Sequence, residues 1–100
     1  MADFTISRAK RPAETFRCEV DFRALIETGD ALSSQSVTAR EVATGQAAAS
    51  FVGGTSIAGT KVVARVQGGE NLKDYLLTFT ANTGAGDVFQ ADVLVPVRQP

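Results

Sequence analysis

Residues 68–81 read GGENLKDYLLTFTA. Two glycines open a polar stretch, after which Tyr75, Leu77, Phe79 and Ala81 occupy alternate positions. A period of two is what a half-buried strand requires, so Leu77 and Phe79 are expected in a core. A tyrosine at the head of such a strand, directly behind a glycine-led loop, has a known use in one large class of β-sandwiches. Its hydroxyl ties the loop down over the end of the strand. The Tyr75 hydroxyl is therefore expected to bond a backbone group within 68–72.

The neighbouring segments carry the same period. Downstream, NTGAG (82–86) reads as a turn, its glycines reaching backbone angles closed to other residues. DVFQADVLVPV (87–97) then sets Phe89, Ala91, Val93, Val95 and Val97 on one face. Pro96 cannot donate to a ladder, which predicts that this end of the strand lies on an edge or beyond the pairing. Upstream, KVVARV (61–66) is β-branched and bounded by glycines. ETFRCEVDF (14–22) places Phe16, Cys18, Val20 and Phe22 opposite Arg17, Glu19 and Asp21. A helix there would put Glu19 and Arg23 on the apolar stripe, so the strand is preferred.

The middle is less strongly marked. RALIETGD (23–30) reads as a helical turn or wide loop, and SSQSVTAREVATG (33–45) can hold a strand around Val37 and Ala39. QAAASFV (46–52) fits a brief strand or a single turn equally. The sum is an all-β chain of about seven short strands, spaced as in a sandwich. Residues 1–12 form an N-terminal arm or edge strand, and 13–98 the sandwich domain.

Composition narrows the chemistry. The chain has 100 residues, one domain by length. Ten basic and eleven acidic residues leave a net charge of −1, which supplies no field to hold nucleic acid. Histidine is absent, removing the commonest general base and the commonest metal ligand together. One cysteine, Cys18, makes neither an internal disulfide nor a cysteine-based zinc site. No apolar run approaches the ~20 residues of a membrane span, and MADFTISRAKRP lacks the apolar core of a signal peptide. The expectation is a protein made in the cytoplasm, with no membrane partner, no cofactor and no small-molecule substrate.

The motifs that suggest chemistry fail on detail. GGTSIAGTK (53–61) has the glycine spacing of a phosphate-binding loop, but Thr60-Lys61 reverses the required order and a strand follows instead of a helix. It reads as a glycine-rich strand connection. Ser7 and Lys10 match SxxK, yet they lie in the N-terminal segment beside Pro12 without companion motifs. Glu70, Asn71, Asp74 and Asp87 could offer oxygen to calcium, but their spacing matches no EF-hand loop. Cys18 alternates with apolar residues and reads as core, not as a reactive thiol. No enzyme activity is expected.

These strands can be laid on the immunoglobulin-like plan. There, a cysteine on the second main strand faces another on the sixth, two residues after the corner tyrosine. Here the pair becomes Cys18 and Leu77, expected to pack without a bridge.

The same residues carry a more particular resemblance. Lys10, Pro12 and Glu14 in K-x-P-x-E, with VDFRALIETGD (20–30), GTKVVARVQGG (59–69) and YLLTFTANTGAGDVFQADVLVPV (75–97), resemble small immunoglobulin-like structural proteins of tailed bacteriophages. That family comprises fibre–tail adaptor and head–tail neck proteins, and the similarity spans about residues 10–98. Its members tend to carry tryptophan in the third strand after GD-x-I-x-S. GDALSSQSV places Val37 there, so phenylalanines, Phe79 and Phe89 among them, must fill the core.

The resemblance implies a virion structural protein, acting without catalysis at the neck or fibre–tail junction. Its partners would be other phage virion proteins, and in the particle it would form a ring-like homo-oligomer. Capsid decoration is an alternative within the same class, and receptor or carbohydrate binding is one from another. Candidate contacts are Arg8, Lys10, Arg11, Asn71, Lys73 and Arg98, together with loop tips at 53–56, 68–73 and 82–87.

Overall fold

A computed structural model describes residues 5–7 and 9–98, with side chains from residue 9 onward. The strands are β1 (Thr5–Ser7), β2 (Phe16–Asp21), β3 (Leu32–Glu41), β4 (Val52–Ala58), β5 (Lys61–Val66), β6 (Asp74–Thr83) and β7 (Val88–Pro96). They form a four-stranded sheet in the order β1-β7-β6-β3 and a three-stranded sheet in the order β2-β5-β4. All pairings are antiparallel except that of β1 with β7. This is an immunoglobulin-like β-sandwich without a disulfide.

The alternation in sequence becomes the division between core and surface. Along β6 every second residue is buried, from Tyr75 through Leu77, Phe79 and Ala81 to Thr83. Ala91, Val93 and Val95 do the same from β7, with Val97 just after it, while Cys18, Val20, Val62, Ala64 and Val66 from the facing sheet, with Phe22 just after β2, close the core. Burying each large side chain contributes roughly 1.5–3 kcal/mol. Cys18 and Leu77 belong to this one core cluster, packed without a disulfide. Val37, standing opposite Phe79, and Phe89 pack against its margin and are half-buried.

Several expectations need correction. Most of 53–61 is strand: β4 absorbs Gly53 in an irregularity between Val52 and Gly54, and the turn contracts to Gly59-Thr60, with Gly59 at φ +64°. A Cβ on Gly53 would lie 2.6 Å from Gln67 Oε1, the movable end of a flexible side chain, so the irregularity and not close approach marks this glycine. Residues 53–56 are thus an edge strand and not a loop tip. β7 lies between β1 and β6, so Pro96 is not on an edge. It ends its strand opposite Asp74, where its carbonyl accepts the Lys10 N–H and its missing N–H interrupts nothing. Strand β6 runs on to Thr83, shortening the 82–86 turn from its start. Of the two readings of 46–52 the turn holds, as a 3-10 turn at Ala49–Phe51.

Candidate protein-interaction surfaces

At the head of β6 the Glu70 N–H donates to Tyr75 Oη at 3.1 Å, five residues upstream and inside the expected window. The Tyr75 ring stacks on Phe51, with centroids 4.3 Å apart and planes 14° from parallel. Gly69 passes directly over both rings at φ +94°. A Cβ there would meet Phe51 Cε1 at 2.9 Å and Val97 Cγ2 at 3.0 Å. The double glycine is therefore a matter of clearance as well as of backbone angle.

Lys10, expected as a partner contact, is turned inward and only 1% exposed. Its Nζ donates to Gly68 O at 2.6 Å, Arg11 O at 2.8 Å and Pro12 O at 3.3 Å, and lies 6.0 Å from the Phe51 ring centroid. Burial pushes the ammonium below the ordinary lysine range, with Glu14 opposing the shift. An ammonium taken from water persists only where its donors are satisfied, and three carbonyls do that here. Lys10 pins the N-terminal segment and the glycine loop to the corner.

The other expected contacts gather at the same end, but several are engaged internally. Lys73 Nζ lies 2.9 Å from Glu41 Oε1 and 3.2 Å from Glu70 Oε2. Glu41, and after it Glu70, holds the Lys73 ammonium above its ordinary range. In return Lys73, with the Thr44 hydroxyl, holds the Glu41 carboxyl below its own. Arg98 Nη2 lies 2.7 Å from Asp74 Oδ1, and its Nη1 donates to Val97 O at 2.8 Å. Arg11 and Asn71 are exposed; Arg8 lies outside the described residues. Asp87 sits at the opposite end of β6 from Glu70 and Asp74, so those oxygen groups do not converge. Among the described residues no group of three or more acidic or cysteine side chains could hold a metal ion.

Two apolar residues at this end escape the pattern in sequence. Leu72 is 75% exposed and adopts φ +68°, a left-handed conformation costly for a branched side chain. Its N–H donates to Val97 O at 2.8 Å, which holds the strained backbone in place. Val42, 50% exposed, donates its N–H to Asp74 O. Leu72 is thus tied to the residue after β7 and Val42 to the first residue of β6. Read along the chain, Leu72 is one apolar residue in a polar loop, and the only signal for it is the absence of any periodic partner.

The outer faces of the two sheets differ in charge. On the four-stranded sheet, hydroxyls, amides and one carboxylate pair across strands: Thr78 with Asp92, Gln90 with Thr80, and Asn82 with Ser34. On the three-stranded sheet three rows cross the strands. They read Arg17–Arg65–Gly54, Glu19–Val63–Ser56 and Asp21–Lys61–Ala58. The last two rows share an ion pair, Lys61 to Glu19 at 3.9 Å.

Comparison with known proteins identifies a family. No curated protein matches the chain. The family model described as podophage GP4 fiber-tail adaptor protein gp77 matches residues 10–96, from the buried Lys10 to the proline that ends β7. With nearly the whole sandwich covered, the chain belongs to the podophage GP4 fibre-tail adaptor family.

Proposed function

We propose that this protein is a non-enzymatic adaptor of the virion, made in the host cytoplasm, that joins fibre to tail through protein–protein contacts. The observation that carries the reading is the family match over residues 10–96. The corner end supports it. Leu72 and Val42 expose apolar surface next in sequence to the Lys73–Glu41 ion pair, with Arg98–Asp74 at the same end, and a mixture of apolar and charged groups is what an interface uses. Strain held at an exposed leucine is the kind of cost retained for recognition. Arg11 and Asn71 extend the same surface. Copies arranged as a ring would multiply modest contacts into a durable joint.

Imaging of virions carrying a label on this protein tests the proposal. Density at the fibre–tail junction is expected. Label spread over the capsid faces, or its absence from the particle, would overturn it.

A further inference from the structure

The charged side of the three-stranded sheet holds a feature that folding alone does not account for. Arg17 on β2 and Arg65 on β5 are directly opposed in register and rise from the same outer face. Like charges so placed disfavour the strand pair. Of the other described cations Lys61, Lys73 and Arg98 each meet a carboxylate, while Arg11, Arg23 and Arg40 do not, so it is the direct apposition of Arg17 and Arg65 that sets them apart. Neither Arg17 nor Arg65 enters an ion pair with a described residue. The third strand continues the row with Gly54, where an added Cβ would meet nothing within 4 Å. Beside it lies Ser56, opposite Val63, which is 7% exposed although it faces outward. The result is an open groove of about 230 Å³, with Val63 as its floor, the two arginines along one side and β4 along the other.

We propose that this groove is a docking site for an acidic peptide segment of a neighbouring virion protein, whose carboxylates bridge Arg17 and Arg65. The identity of the neighbour rests on the adaptor reading above; the chemistry of the groove does not. Guanidinium forks match carboxylates in a planar, two-pronged geometry. Strand β4 is an edge, so its outer backbone groups run beside the groove and suit an extended chain. Charge on the face also sets a direction, because Glu19 and Asp21 occupy the rows beyond. An acidic segment is drawn to one end of the sheet and repelled from the other. That segregation, with a net charge of −1, favours a short peptide over the long track of a nucleic acid.

The test is titration of the protein with a hexaglutamate peptide, followed by NMR of the arginine Nε–Hε groups and backbone amides. Shifts should concentrate at Arg17, Arg65 and residues 53–56, and weaken as salt is raised. Arg65→Gln should reduce affinity roughly tenfold, and Arg65→Lys should restore part of it. Gly54→Glu, which supplies a carboxylate within the chain at no steric cost, should compete with the peptide and abolish the shifts. No perturbation of the two arginines at millimolar peptide would overturn the site. So would equal binding of a thymidine oligonucleotide to the same residues, which would point to a polyanion surface. These outcomes are independent of where the protein sits in the virion: a labelled junction with a silent groove overturns this inference alone, and a responsive groove with no junction label overturns the adaptor reading alone.

Discussion

Two sets of cations on this small sandwich look alike in sequence and behave oppositely in the fold. At the corner end, Lys10, Lys73 and Arg98 are each bound within the chain, by carbonyls in the first case and carboxylates in the others. On the three-stranded face, Arg17 and Arg65 stand opposite one another without a carboxylate. The difference separates charges that hold the fold from charges available to a neighbour. A basic residue becomes informative about partners only once its internal obligations are known.

Substitutions should break the comparison in a definite order. Lys10→Ala should have the largest effect on stability, about 3 kcal/mol, because it leaves the Gly68, Arg11 and Pro12 carbonyls without their buried donor. Urea denaturation reads this directly, and a midpoint close to wild type would mean that the ammonium is not a structural pin. Tyr75→Phe should cost roughly 0.5–1.5 kcal/mol through loss of the Glu70 N–H partner. Leu72→Gly relieves a left-handed leucine and should raise stability by up to about 1 kcal/mol, while weakening attachment to the partner. A variant that gains stability without losing attachment would separate the strain from recognition.

Smaller still is the response to pH at the Glu41–Lys73 pair. The Glu41 carboxyl is held below its ordinary range by Lys73. Its contribution is therefore complete above the unfolded carboxylate value, about pH 4.3, and is lost as pH falls through the lower folded value. Glu41→Gln should flatten the stability profile in that acid window by lowering stability at neutral pH, while leaving it nearly unchanged below the folded value. The double substitution of Arg17 and Arg65 to glutamine should raise the denaturation midpoint slightly, because it removes two like charges placed directly opposite one another. Its larger effect should be the loss of peptide binding.

The fold was legible where periodicity was strong. The alternations at Tyr75–Ala81 and Phe89–Val97 set the two long central strands, and a tyrosine behind a glycine loop identified the corner. The short apolar segments were less so, because glycines in GGTSIA signal a connection as readily as an irregular edge strand; only the pairing with Lys61–Val66 decides between them. The contact surface was the least legible. Lys10 reads as an exposed charge, since its carbonyl partners include Gly68, fifty-eight residues away. Leu72 and the Arg17–Arg65 apposition likewise depend on a backbone angle and a strand register, neither of which any local pattern states.

The adaptor role itself is tested most directly by particles assembled without this protein. Counting fibres per tail by electron microscopy, before and after purified protein is added back, should show tails without fibres that regain them on addition. Full fibre occupancy on particles that lack the protein would contradict the account.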